Sequence, residues 1–242
     1  MRLTSTAVEV PLDEGLVSIL ADLFAKTPRI KAVIETGTYQ GTGTTQIVIE
    51  AVKKMFKEHP KISKKPAAYT IEASEKNYLI AKNNLKQHDW ITVIHGCSLD
   101  LGDCKKFIEE DDAILHHEDY PDIFIDSHEP VDFYTKEIAG QLFGKGGVGT
   151  DNVLARLIPD IWKMRPLFIL DSAGGVGWKE FQTVVELMQD RLYYVFADDC
   201  AHLKHFRTKA YMKHCQWPIL AEDSNGRWIL AQHPGRTGNP NW

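Results

Sequence analysis

The chain has 242 residues, 43% of them hydrophobic and 25% charged, which is enough for one large α/β domain with an ordinary buried core. A formal net charge of -5 argues against a general basic surface for nucleic acid or anionic membrane. The opening MRLTSTAVEVPLDEG lacks a secretory pattern, and no run reaches the ~18 apolar residues of a membrane span, so a soluble, cytoplasmic protein is expected.

In chain order, Leu12, Leu16, Ile19, Leu20, Leu23 and Phe24 recur at helical spacing, predicting a helix that packs against a sheet or over a ligand mouth. Short apolar runs at 32–35, 68–72, 91–95, 122–126, 167–171 and 193–197 then read as six strands. The gaps between them are long enough for right-handed helical crossovers. Within those gaps, 46–56 places Ile47, Ala51, Val52 and Met55 on one helical face, and 178–188 does the same with Trp178, Phe181, Val185 and Met188. Towards the end, apolar runs at 217–221 and 228–231 flank Asp223-Ser224-Asn225-Gly226, a hairpin signal. The pattern predicts a Rossmann-like α/β fold: a mostly parallel twisted sheet of about seven strands, helices on both faces, and a C-terminal antiparallel hairpin. The domain reading is a helical extension at 1–30, the ligand-binding domain at 31–233 and a flexible tail at 234–242. Cys97, Cys104, Cys200 and Cys215 form no Cys-x-x-Cys pair and read as reduced thiols.

The first strand ends in an acid and a turn rich in Gly and Thr, Glu35-Thr36-Gly37-Thr38-Tyr39-Gln40-Gly41-Thr42-Gly43, before a helix opening near Thr44 and Thr45. Glycines let backbone approach a ligand, and a helix start offers N–H groups to an anion. A dinucleotide fingerprint needs Gly-x-Gly-x-x-Gly, but Tyr39 stands where the second glycine belongs and would obstruct a pyrophosphate.

The segment IETGTYQGTGTT resembles the first motif of class I S-adenosylmethionine-dependent methyltransferases, in particular small-molecule O-methyltransferase-like members. The resemblance implies S-adenosylmethionine as cofactor, with Glu35, Gly37, Thr38, Tyr39, Gly41, Thr44 and Thr45 around its amino-acid end. It also implies Glu72 and Ala73 at the ribose hydroxyls, which one carboxylate can bind together, and Cys97 and Ser98 at the adenine. The run DDCAHLKHFRT is similar to a stretch in poorly characterised bacterial methyltransferase-like proteins. The expected reaction is methyl transfer to oxygen, or less readily nitrogen, of a small molecule.

Ligands of open α/β sheets sit beyond the carboxyl ends of the strands, which places DIFIDSHEP and LFILDSAGG at the acceptor. Asp126, His128 and Asp171 are the expected catalytic residues, His128 as the general base, with Asp126 also beside the cofactor. In the catechol and caffeoyl-CoA O-methyltransferases, which this arrangement resembles, acids at two strand ends plus an adjacent Asn hold a divalent metal. Asp126 and Asp171 match, while Ser172 stands at the Asn position, so a magnesium-like ion on Asp126, Asp171 and Ser172 is the metal reading.

Three other segments receive readings of their own. Gly144 to Gly149 lacks the lysine and the preceding strand of a phosphate loop and reads as a loop over the substrate pocket. His116-His117-Glu118-Asp119 reads as a solvated loop without metal. The cation-rich stretch from His202 to His214 reads either as a solvated helix face or as a subsite for an anionic substrate through Lys204, His205 and Arg207. Small-molecule substrate is thus the expected partner, with a homo-oligomer left open. The rival readings are an NAD(P)-dependent oxidoreductase and a catalytically silent scaffold on the same fold.

Overall fold

The computed structural model describes residues 13–26, 30–142, 151–173 and 175–235. Among these, seven strands form one sheet: β1 (Ala32–Thr36), β2 (Ala67–Glu72), β3 (Ile91–His95), β4 (Leu167–Leu170), β5 (Tyr194–Ala197), β6 (Ile219–Glu222) and β7 (Ile229–Gln232). Their order is β3-β2-β1-β4-β5-β7-β6. β1 to β5 are parallel, β7 is antiparallel to β5, and β6 is antiparallel to β7. The helices are α1 (Glu14–Ala25), α2 (Thr44–Glu58), α3 (Glu75–Leu85), α4 (Leu101–Glu110), α5 (Asp112–Leu115), α6 (Pro130–Leu142), α7 (Val153–Ile161), α8 (Gly177–Met188) and α9 (Phe206–His214).

Period-two alternation divides the strand side chains between two cores. Ile34, Phe168, Leu170, Val195 and Ala197 face α4 to α8, whereas Val33, Leu167, Ile169, Tyr194 and Phe196 face α1 and α2. The inner strands are therefore apolar on both faces, as a parallel sheet covered on both sides requires. α1 packs its Leu16, Leu20 and Phe24 on α2 and that second face, and none of its residues reaches the ligand cavity. The hairpin expected around Asn225-Gly226 is present, with Gly226 in the left-handed region at φ +74° and its N–H donating to the Asp223 carbonyl. This is the Rossmann-like methyltransferase architecture implied by the first motif. No helix among the described residues is long and apolar enough to cross a membrane.

One expected strand is not in the sheet. The run 122–126 makes only an isolated bridge, between Phe124 and His202, held by Phe124 N–H to the Ala201 carbonyl and Leu203 N–H to the Phe124 carbonyl. Both edges of β1 are already taken, by β2 and by β4, and Phe124 is half exposed where an inner strand would be covered. The fourth strand of the sheet is therefore the LFIL run and the fifth is YVFA. Of the other sequence readings, 144–149, the whole of 1–12 and 236–242 lie outside the described residues.

Candidate functional site

A cavity of about 510 Å³ opens at the carboxyl ends of β1 to β5. It lies where the connections from β1 leave to opposite sides, with β2 on one flank and β4 on the other, the usual ligand position in open α/β sheets. Its wall carries eight of the twelve residues expected at the cofactor, namely Gly37, Thr38, Tyr39, Thr44, Glu72, Ala73, Cys97 and Ser98.

The turn after β1 is fixed from both sides. Gly37 and Thr38 donate their N–H groups to the Ile71 carbonyl at 3.0 and 3.1 Å. Gly37 sits at φ +80°, and a Cβ there would lie 2.2 Å from the Asp171 carbonyl oxygen, so only glycine fits. Tyr39, also in the left-handed region, donates its N–H to Glu72 Oε2 at 2.7 Å and leaves its ring 45% exposed at the cavity mouth. Glu72 Oε1 accepts from Ser74 N–H at 2.8 Å. Burial pushes the Glu72 carboxyl up to about 7, against the pull of these two N–H groups. Gly43, the N-cap of α2, offers no side-chain cap, and a Cβ on it would meet open space.

Glu35 lies elsewhere than its expected place at the cofactor's ammonium. Its side chain turns under the loop, where Oε2 accepts from Thr45 Oγ1 at 2.6 Å and Thr70 Oγ1 at 2.5 Å, and it is absent from the cavity wall. The Thr70 hydroxyl also meets that of Thr38. Burial raises Glu35 to about 7, with the two hydroxyls opposing. Thr45 serves this buried carboxyl and Gly41 packs on Leu85, so neither lines the cavity. These three residues shape the loop from beneath.

The opposite end of the cavity is a charged cluster of Asp171, Asp198, Asp199, Lys204 and Arg227. Lys204, only 8% exposed, donates to Asp171 Oδ1 at 3.2 Å and lies 2.8 Å from Asp199 Oδ2. Thr44 Oγ1 donates to Asp171 Oδ2 at 3.2 Å, and Arg227 Nε stands 3.5 Å from Asp198 Oδ1. Burial works against the Lys204 charge, but Asp171 and Asp199 hold the ammonium protonated well above the lysine range. For Asp199 burial again opposes ionisation, and Lys204 overcomes it, holding the carboxyl low. Burial, then the carboxylates of Asp171 and Asp199, push Asp198 up to about 7.

Behind the wall, Glu180 of α8 is fully buried and accepts from Thr36 Oγ1 at 2.9 Å, Ser172 Oγ at 2.7 Å and the Ser98 hydroxyl. It ties the ends of β1, β3 and β4 together. Sequence reading missed it, although an acid beside Phe181 on the apolar face of an amphipathic helix marks a buried acceptor that needs donors.

The expected acceptor residues separate. His128 is exposed and off the cavity wall. Asp126 is also off the wall: Oδ2 accepts from Tyr134 Oη at 3.0 Å and lies 3.1 Å from His202 Nε2. Burial would raise its carboxyl, but the His202 contact and the Tyr134 hydroxyl hold it below the ordinary value. Both expectations followed from counting 122–126 as a sheet strand. Asp171 and Ser172 do line the cavity. The metal set Asp126, Asp171 and Ser172 is not assembled, since each is taken by a different partner: His202, Lys204 and Glu180. Among the described residues the one cluster of three close ligand groups is the exposed Asp22, Glu58 and His59.

Nor do Lys204, His205 and Arg207 meet at one shared subsite. Lys204 turns to Asp171 and Asp199 at the cavity wall, and His205 is fully buried with Nδ1 on Thr208 Oγ1 at 3.1 Å. Arg207 forks onto Asp111 at 2.7 and 2.8 Å and stacks over Trp178.

No family model matches the sequence, and no curated protein matches it. Among solved structures the chain is similar to an O-methyltransferase from Bacillus cereus in complex with SAH, at 13% identity and a TM-score of 0.47, over 92% of this chain and 82% of that one. It is similar to cofactor-bound Rv0187 from MTB at 14% identity and a TM-score of 0.48, over 96% and 84%. A methyltransferase-like protein from Silicibacter pomeroyi gives 12% identity and a TM-score of 0.38, over 93% and 88%. The class I methyltransferase fold of this chain rests on its own sheet, five parallel strands ordered around β1 and closed by a reversed β7.

Proposed function

We propose that the chain is an S-adenosylmethionine-dependent methyltransferase acting on oxygen, or second on nitrogen, of a small molecule. The observation that carries this reading is Glu72, a buried carboxylate at the β2 end that faces the same cavity as the open turn at Gly43. Each of its oxygens accepts one backbone N–H, and each keeps a second lone pair for a ribose hydroxyl. Cys97 and Ser98 would flank the adenine, while Gly37, Thr38 and Tyr39 would border the amino-acid end, whose carboxylate suits the uncapped start of α2. The cofactor supplies, when bound, a methyl group on a sulfonium. Asp171 would face the acceptor. Asp198, poised at about 7 on the wall, is the carboxyl matched to taking a proton from the acceptor near neutrality. Val176 and Ile138 add apolar surface that excludes water from the chamber.

Titration calorimetry with S-adenosylhomocysteine tests the reading. The wild type should bind it, and Glu72→Gln should weaken binding by about 10- to 100-fold, the worth of a charge-assisted hydrogen bond of ~1.5–3 kcal/mol. Binding of NADH in its place, or identical affinity of the variant, would overturn the proposal.

A further inference from the structure

The resemblance that brings in the cofactor also brings in a divalent metal, held by acids at two successive strand ends and the residue after the second. In this fold those positions are Asp171 after β4 and Asp198 with Asp199 after β5. Asp198 is taken by Arg227, while Asp171 and Asp199 do converge on one cation, and that cation belongs to the chain. The Lys204 ammonium sits between Asp171 Oδ1 at 3.2 Å and Asp199 Oδ2 at 2.8 Å. We propose that Lys204 is the resident cation of the methyl-transfer end, filling the seat a divalent metal would need and presenting its ammonium to the ionising oxygen of the acceptor.

Three observations argue for this beyond the ion pairs. Lys204 is buried, and a buried ammonium is stable only where carboxylates surround it. An ammonium has three donors, two are turned to Asp171 and Asp199, and Lys204 lies on the wall of the cavity, so one donor remains for a ligand. The approach of Lys204 is also built in by the backbone, because Leu203 N–H is pinned to the Phe124 carbonyl and His205 N–H to the His202 carbonyl. A metal and this ammonium cannot share the carboxylates, since two adjacent cations would repel at short range. The acceptor class that follows is a molecule with an acidic hydroxyl or carboxyl, whose oxygen anion an ammonium can receive without displacing a metal-bound water. This inference deepens the methyltransferase reading and rests on it for the identity of the acceptor, but the seat itself can be tested alone.

Manganese binding followed by electron paramagnetic resonance reads the seat without any substrate. All proteins carry Glu58→Gln, because the exposed cluster of Asp22, Glu58 and His59 could take the ion by itself. With Lys204 intact, manganese should stay free. Lys204→Ala should bind it at least about tenfold more tightly, as vacated carboxylates recruit a hard cation, and adding Asp199→Asn should abolish the gain. Lys204→Ser, whose hydroxyl can still donate to Asp199, is measured in parallel in case the alanine variant fails to fold. A variant that folds only with manganese gives the same positive result as a rise in Tm. The proposal is overturned if the Lys204 protein binds manganese in a way that Asp199→Asn removes, or if neither Lys204 variant gains binding. Calorimetry with S-adenosylhomocysteine on the same samples separates the two ideas. Failure of the Lys204 protein to bind it sinks the methyltransferase reading, whatever manganese does.

Discussion

An α-carbon hydrogen is all that fits between the turn after β1 and the backbone of Asp171. A methyl group on Gly37 would lie 2.2 Å from the Asp171 carbonyl oxygen and 2.8 Å from Ser172 Cα, at a φ of +80° that a side chain disfavours. Gly37→Ala should therefore cost about 2–5 kcal/mol in urea denaturation, the sum of left-handed strain and forced separation of two strand ends. Gly43→Ala, whose new Cβ meets open space, should stay within about 1 kcal/mol of wild type. Equal stability of the two variants would show that the close approach does not exist. Gly37 was legible because one of its reasons is local, a left-handed turn that follows an apolar strand, although its close approach to Asp171 is not. Lys204 and Glu180 were not, because their partners lie far off in the chain: Asp171 is 33 residues from Lys204, and Thr36 is 144 from Glu180. Composition marks such residues as charged; only the assembled sheet says what they face.

The same limit appears one level up, in the choice between two runs that read alike. IFI at 123–125 and LFIL at 167–170 are both short, apolar and followed by an acid, and β-pattern alone ranks them equally. What separates them is coverage. β4 is buried along its whole length between β1 and β5, whereas Phe124 is half exposed and alone of its run bridges to the 201–203 turn. Length and spacing could not show this, since a segment placed before α6 and α7 has room for either role. Helices and the hairpin were legible because apolar period and turn chemistry are properties of the segment alone. Amide hydrogen exchange should report the difference directly. Amides of β4 should exchange only through global opening, while those of residues 122–126, apart from Phe124, should exchange many-fold faster through local opening. Equal protection across both runs would restore 122–126 as a strand.

Across the molecule, burial sets charge against fold at several points, and the pH dependence of stability is their balance. Glu35, Glu72 and Asp198 are each raised to about 7 in the folded chain, chiefly by burial. Each is ionised in the unfolded chain above about pH 4. Between those values the folded state holds protons that the unfolded state has lost, so their contribution is full at low pH and is lost as pH rises towards 7. His205 acts in the opposite sense: burial, then Lys204, hold it neutral well below the usual histidine range, so acid favours the unfolded chain. The net slope of the wild type mixes both, but a single substitution isolates one member. Glu35→Gln keeps a carbonyl for Thr45 and Thr70 and removes the titration. It should forgo on the order of 2–3 kcal/mol that Glu35 contributes when pH falls from 8 to 5. The gap in Tm between the two should therefore move in the variant's favour as pH rises from 5 to 8, because only the wild type acquires a carboxylate charge beneath the loop. Calorimetric melts at half-unit steps would measure it, and a gap that stays constant across the range would mean that Glu35 is ionised beneath the loop throughout.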